Sequence, residues 1–111
     1  MTELDAVAFR KLAFVDVIPN NFVVPYYLDD RKRRIAITRV EHRLYAFDDL
    51  CTCSHAACPL SGGLLTGTTI MCQCHGSRFD ITTRAVISGP ATAAINVYAV
   101  QEEEGVVRIR V

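Results

Sequence analysis

The sequence lacks several features that would each point to a large class of proteins. It has no excess of charge of one sign, because 12 lysines and arginines balance 12 aspartates and glutamates. This balance argues against a protein that binds nucleic acid or a membrane surface through basic charge. No apolar run approaches the roughly 18 residues of a membrane-spanning helix, so we expect no membrane contact. The amino terminus lacks the basic and apolar segments of a signal peptide, and the cytoplasm is the expected compartment.

Amphipathic helix patterning is absent too, and short β-type segments separated by turns take its place. No long segment shows the i, i+3, i+4, i+7 apolar recurrence of a helix. The strand-like segments are 7–9, 14–18, 22–28, 34–40, 44–47, 95–100 and 106–111. Pro25 marks the third of them as an edge or bulged strand, and the last alternates Val107 and Ile109 with arginines. So many short strands in 111 residues predict a single all-β domain, either a sandwich or a barrel.

All five cysteines lie between positions 51 and 74, a concentration that needs an explanation in a cytoplasmic chain, where disulfide scaffolds are rare. Two of the cysteines form short pairs with histidines, Cys53-x-His55 and Cys72-x-x-His75. Each pair is close enough in sequence to be delivered by one loop. Two such loops would together supply two thiolates and two imidazoles, so the middle of the chain predicts a metal site.

Two kinds of metal centre fit four ligands of this type. A structural zinc ion takes two cysteines and two histidines in tetrahedral geometry, and the chain would then be a zinc-binding interaction module. Zinc fingers usually donate a cysteine pair and then a histidine pair, whereas each loop here offers one of each. A mixed set suits an asymmetric two-iron cluster, in which thiolates hold one iron and histidines hold the other. On ligand chemistry alone both interpretations stay open.

The sequence around the ligands resembles the Rieske iron–sulfur motif, C-x-H followed further along by C-x-x-H. Residues 55–63, HAACPLSGG, resemble the H-x-x-x-P-L-S-x-G stretch of the Rieske ferredoxins that serve aromatic-ring dioxygenases. Residues 72–80, CQCHGSRFD, resemble their C-x-x-H-G-x-x-F-D. The acidic lead-in 45–50 and Gly89-Pro90, where the family places a loop over the cluster, extend the likeness along the chain.

This resemblance implies an all-β Rieske fold of three stacked antiparallel sheets. A small cluster-binding subdomain, about 48–85, would be inserted in a β base domain made of about 1–47 and 86–111. It also implies a 2Fe-2S cluster whose ligands are Cys53, His55, Cys72 and His75. Cys51 is an alternative first ligand, with Cys53 in the place of the histidine, but His55 has the correct spacing before Pro59-Leu60-Ser61. We therefore assign Cys53 and His55 as the ligands of the first loop.

The function that the resemblance implies is one-electron transfer. The carrier would take an electron from a flavin-containing, NAD(P)H-dependent ferredoxin reductase and pass it to a terminal ring-hydroxylating oxygenase. No general base, nucleophile or substrate pocket is visible in the sequence, so we expect a carrier and not an enzyme. We also expect a monomer, as is common for small carriers that dock weakly. Two alternatives are a respiratory Rieske subunit, which would need a membrane anchor, and the Rieske-like small subunit of nitrite reductase, which usually lacks the ligands.

The remaining cysteines give the sequence a hybrid character. Cys58 and Cys74 occupy positions that resemble those of respiratory Rieske proteins, where the pair forms a disulfide joining the two cluster loops; dioxygenase ferredoxins usually lack both. The resemblance therefore implies a disulfide, and two reduced thiols beside the cluster are the alternative in a cytoplasmic chain. Cys51 would then be a buried structural thiol.

Three further residues are expected beside the cluster. Ser77 stands where respiratory Rieske proteins carry a serine that bonds a bridging sulfide, and Phe79 stands where they carry a tyrosine that bonds a ligand thiolate. Pro90 belongs to the loop expected over the cluster. A hydrogen-bond donor stabilises the more negative reduced cluster and so raises the reduction potential. Ser77 supplies one donor and Phe79 lacks the second, so we expect a potential between those of the dioxygenase ferredoxins and the respiratory Rieske proteins.

Overall fold

The computed structural model describes residues 9–14, 18–52 and 58–110, and within these ranges the regular secondary structure is almost entirely β-strand, joined by turns and loops. The strands, in chain order, are β1 Arg10–Phe14, β2 Val23–Leu28, β3 Arg33–Val40, β4 Arg43–Asp48, β5 Leu64–Thr66, β6 Thr69–Met71, β7 Arg78–Asp80, β8 Val86–Ser88, β9 Val97–Glu103 and β10 Val106–Arg110. A single 3-10 turn, Leu60–Gly62, is the only helical element of the described residues. None of the described helical structure is long and apolar enough to span a membrane.

The strands form three antiparallel sheets, two of which share β9. Six strands are hydrogen-bonded in the order β1-β10-β9-β4-β3-β2. The first residues of β9, Val97 and Tyr98, pair with β4, whereas its later residues, 99–103, pair with β10. β9 therefore passes from one sheet, β2-β3-β4, to the other, β1-β10. The third sheet contains β5-β6-β7-β8 in chain order.

The sheet of β2, β3 and β4 is the middle layer, because it contributes side chains to both hydrophobic cores. Ile35 and Ile37 of β3 pack in a core with Val107 and Ile109 of β10. Ala36, from the opposite face of β3, belongs to a second core that includes side chains of β6 and β7. Since successive side chains of a strand point to opposite faces, a strand buried on both faces must lie between two layers. The predicted all-β architecture of three stacked antiparallel sheets is confirmed.

Five of the seven predicted strand segments are present in the structure, and the short strands β5 to β8 were not predicted. Segments 22–28, 34–40, 44–47, 95–100 and 106–111 correspond to β2, β3, β4, β9 and β10. Pro25 lies on β2, which is an edge strand as predicted. The first strand of the described residues is Arg10–Phe14. The predicted segments 7–9 and 14–18 fall mostly on residues 7, 8 and 15–17, which lie outside the described residues, and they stay predictions. The predicted division into base and cluster-binding subdomains stays a prediction.

Candidate metal centre

Backbone hydrogen bonds close both predicted ligand loops, at residues that the structure describes. The Cys51 N–H donates to the Cys58 carbonyl over 2.9 Å, which joins the two ends of the first loop. In the second loop, the Cys72 N–H donates to the Ser77 carbonyl over 2.7 Å and the Gly76 N–H donates to the Cys72 carbonyl over 2.9 Å. Gly76 has a φ of +78°, a conformation that glycine adopts without the strain of a side chain.

The second loop presents its two predicted ligands differently. Cys72 is completely buried, whereas His75, three residues later, is exposed. The two predicted ligands of the first loop, Cys53 and His55, lie outside the described residues. The described half of the ligand set therefore consists of one enclosed sulfur and one accessible imidazole, and this is the donor chemistry that a mixed cysteine and histidine cluster site needs.

A disulfide between Cys58 and Cys74 ties the two loops together, with 6.5 Å between the two Cα atoms. Of the two alternatives left by the sequence, the structure has the disulfide and not the pair of reduced thiols. Cys51 and Cys72 are outside this bond and are buried. The Cys72 sulfur lies 3.4 Å from the Cys58 sulfur, so the disulfide is in direct contact with a predicted cluster ligand.

Ser77 connects the second loop to the segment that follows β8. Its side chain is fully buried, and its hydroxyl oxygen accepts a hydrogen bond of 2.9 Å from the Ala91 N–H. Pro90, which precedes Ala91, is exposed and follows a cis peptide bond from Gly89. This bond to Ala91 leaves the hydroxyl proton of Ser77 unused, so the group keeps its capacity to donate. Phe79 is fully buried in the second core and offers no hydrogen-bond donor there.

A buried carboxylate, which the sequence did not single out, joins the middle sheet to the residues after the first loop. The side chain of Asp49 is fully buried and accepts hydrogen bonds from the Arg34 Nε at 2.5 Å, the Ser61 N–H at 2.5 Å and the Ser61 hydroxyl at 2.7 Å. Arg34 is on β3, and Ser61 is in the 3-10 turn. The acidic pair at 48–49 is visible in the sequence, but it indicated only the segment that precedes the motif.

A glycine directly after the 3-10 turn, Gly63, allows the turn to approach the strand that leads into the second loop. A Cβ atom at Gly63 would collide with the backbone carbonyl oxygen of Met71, the residue before Cys72. A Cβ at Gly62 would meet only the side-chain amide of Gln73, at 2.6 Å. The close approach at Gly63 brings the segment after the first loop against the start of the second.

A sequence model of the Rieske [2Fe-2S] domain matches residues 9–99, most of the chain. The chain belongs to the Rieske family. Among curated relatives, the ferredoxin component of the naphthalene 1,2-dioxygenase/salicylate 5-hydroxylase systems of Ralstonia sp is 38% identical over 91 residues. The alignment covers 82% of this chain and 84% of that protein. A 2Fe-2S cluster is therefore the cofactor of this Rieske domain, and the choice between zinc and iron–sulfur is decided for iron–sulfur.

Solved structures agree with the sequence relatives. The Sphingomonas yanoikuyae B1 ferredoxin is 30% identical and superposes with a TM-score of 0.82, covering 93% of this chain and 98% of its own. A chain in the complex of reduced oxygenase and oxidised ferredoxin in carbazole 1,9a-dioxygenase is 27% identical with a TM-score of 0.82, covering 94% of both chains. These relatives of the chain are thus ferredoxin components of multicomponent systems. Such components are electron carriers and not the catalytic enzymes of those systems.

Proposed function

We propose that this Rieske domain is the ferredoxin of an aromatic-ring-hydroxylating oxygenase system. The observation that carries the proposal is the contrast within the second loop, where Cys72 is enclosed and His75 is exposed. A carrier needs its redox group shielded from water on one side and within reach of a partner on the other. The 2Fe-2S cluster supplies a reversible one-electron store, and the chain supplies the ligands, the shielding and the docking surface.

The ligands in this proposal are Cys53 and Cys72 for one iron and His55 and His75 for the other. For the second loop, support comes from the burial of Cys72 and the exposure of His75. For the first loop, support comes from the spacing of Cys53 and His55 in the sequence. It also comes from the backbone hydrogen bond between the Cys51 N–H and the Cys58 carbonyl, which closes the loop.

The partners proposed are a terminal oxygenase, which receives the electron, and a flavin-containing, NAD(P)H-dependent reductase, which supplies it. The solved complex of an oxygenase with its ferredoxin in carbazole 1,9a-dioxygenase supports an oxygenase partner, and the system names of the curated relatives support a reductase. We propose that the exposed surface at His75 and Pro90 is the docking face, and that the protein acts as a cytoplasmic monomer.

The ligand assignment is tested by comparing two exposed histidines. His75→Ala should abolish cluster assembly, because it removes an iron ligand, whereas His42→Ala should leave it intact, because His42 lies in the exposed turn between β3 and β4. The measurements are iron and acid-labile sulfide content, together with the visible and EPR spectra of the as-isolated protein. Equal cluster content in the two variants would contradict the assignment, and a colourless wild type that contains zinc would overturn the function.

The carrier role is tested by reconstitution with an aromatic-ring oxygenase and its reductase. We expect substrate hydroxylation to require this protein and to rise with its concentration, because the electron reaches the oxygenase only through the ferredoxin. His42→Ala should support the same rate as the wild type. Hydroxylation at the full rate without this protein would contradict the proposal.

A further inference from the structure

The sulfur atoms of Cys58, Cys72 and Cys74 form a compact group in the described part of the chain, and all three lie within 4.8 Å of one another. Cys72 is a proposed ligand of the iron–sulfur cluster, whereas Cys58 and Cys74 are not. Cys58 and Cys74 form the disulfide, and the Cys72 sulfur lies 3.4 Å from that of Cys58. We call these three residues the sulfur trio.

The spacing within the sulfur trio fits a thiolate-bound metal ion. A zinc–sulfur bond of about 2.3 Å in tetrahedral geometry places neighbouring sulfurs roughly 3.8 Å apart. The Cys58 and Cys72 sulfurs are 3.4 Å apart and no pair in the trio is more than 4.8 Å apart, so only the bonded sulfurs of Cys58 and Cys74 must move well apart to reach this value. The 6.5 Å between the Cα atoms of Cys58 and Cys74 leaves their sulfurs room to separate by side-chain rotation once the disulfide is reduced.

The burial of the trio also fits a metal site. Cys58 and Cys72 are buried, so two of the three sulfurs are shielded from solvent. Cys74 is exposed, which gives an ion a path of entry and leaves one coordination position open to water or to another side chain. Thiolates are the ligands that soft and borderline divalent ions prefer, and zinc binds three or four of them in many proteins.

We propose that reduction of the Cys58–Cys74 disulfide turns the sulfur trio into a second metal site, specific for a thiophilic divalent ion of the zinc class. A dithiol reductant supplies two electrons and two protons, so that the sulfur–sulfur bond breaks, the dithiol becomes a disulfide, and Cys58 and Cys74 become thiols. The ion then binds three thiolates, and three protons are released to solvent. The oxidation state of a zinc ion does not change.

The trio shares Cys72 with the proposed iron–sulfur site, so the two metals compete for this residue. In the oxidised chain, the disulfide withholds two of the three thiolates from zinc and leaves Cys72 to the cluster. The competition for Cys72 rests on the cluster ligands proposed above, whereas the metal site at the sulfur trio does not depend on them.

The test is a Cd²⁺ titration of the full-length chain in the Cys53→Ser/His55→Ala background, which removes two proposed cluster ligands and keeps the trio. After reduction with a dithiol and its removal, we expect one Cd²⁺ per chain and a thiolate-to-cadmium charge-transfer absorbance. The unreduced chain should not develop this absorbance. Equal binding with and without reduction would overturn the proposal, and so would a failure of the reduced chain to bind, provided that circular dichroism shows it folded.

Single substitutions in the same background locate the ion. Cys74→Ser, at an exposed position, should weaken Cd²⁺ binding by about tenfold or more, because a ligand is lost and even the loss of a group that only supports a ligand costs about that much. Cys51→Ser is the matched control, since it removes a thiol outside the trio and should leave the affinity unchanged. Binding by Cys74→Ser as tight as that of its parent would overturn the proposal. The proposed function fails separately, through the iron content of the wild-type protein.

Discussion

At the scale of single residues, Ser77 links the predicted cluster site to the loop around Pro90. The buried hydroxyl accepts from the Ala91 N–H, and the backbone carbonyl of the same residue accepts from Cys72. One residue therefore fixes both the ligand loop and the segment proposed to cover the cluster. It is also the position from which a hydroxyl proton would reach the sulfur of the cluster, according to the Rieske resemblance.

Ser77→Ala should lower the reduction potential of the cluster, because a hydrogen bond to sulfur stabilises the more negative reduced state. It should also reduce the free energy of unfolding by about 1–3 kcal/mol, since the Ala91 N–H loses its acceptor in a buried site. Protein-film voltammetry measures the first effect and urea denaturation the second.

The control for this variant is Ser88→Ala, on an exposed position of β8, which should change neither quantity. A loss of stability in Ser77→Ala with an unchanged potential would assign Ser77 a structural role only.

At the scale of elements, the 3-10 turn and β6 meet at Gly63 through backbone contact. The neighbouring Gly62 faces a flexible side chain instead. The two positions therefore separate the effect of adding a methyl group against backbone from the effect of adding one against a movable group.

Gly63→Ala should lower the free energy of unfolding by roughly 1–3 kcal/mol, because the added carbon overlaps the Met71 carbonyl and one backbone segment must shift. Gly62→Ala should be close to neutral, since the Gln73 amide can rotate away and alanine reduces the entropy of the unfolded chain. Urea denaturation of the two variants checks this difference. Similar losses in both would mean that the turn does not depend on close approach at Gly63.

The elements also show what sequence could and could not predict. β3 and β10 were predictable because β-branched residues recur over five or more positions next to clear turn residues. Strands β5 to β8 have only three residues each, too few for an alternating pattern to stand out from chance. These strands are stabilised by pairing with each other and by the burial of Ile70 and Phe79. Neither the pairing nor the burial can be predicted from a short stretch of sequence.

The same reasoning applies to the candidate site. Cys72 and His75 could be proposed as ligands from sequence because their spacing to each other and to Gly76 is local. Asp49 was not, because its partners Arg34 and Ser61 are 15 and 12 residues away in sequence. An acidic pair next to a loop ordinarily indicates a solvated turn, and only the fold brings three donors to the buried carboxylate.

At the scale of the whole molecule, a hydrogen-bond network holds the middle sheet to β9. The Tyr98 hydroxyl on β9 donates to the Asp48 carboxylate on β4 at 2.5 Å and accepts from the Arg33 guanidinium on β3 at 2.7 Å. Burial, followed by the hydrogen bond to Asp48, raises the pKa of Tyr98 to about 12. The folded chain thus favours the neutral phenol more strongly than the unfolded chain does.

Stability should consequently fall at alkaline pH through Tyr98. The unfolded tyrosine ionises near pH 10 and the folded one near pH 12, so the stabilisation is complete below about pH 10 and is lost as the pH rises to about 12. Tyr98→Phe lacks this ionisation, and the difference in free energy of unfolding between wild type and variant should shrink across that range. Urea titrations at several pH values measure it. A constant difference would contradict the assignment.

The disulfide between Cys58 and Cys74 has a consequence for the rate at which the protein can exchange electrons. Each atom that moves when a redox centre changes charge adds reorganisation energy to the barrier, and a site whose dipoles are fixed in advance avoids that cost. Here the second loop is closed by its own backbone bonds, tied covalently to the end of the first and backed by Phe79 and Ile70 in the core. We expect this half of the site to keep its geometry in both oxidation states, so that self-exchange between oxidised and reduced molecules is fast and slows when the disulfide is opened.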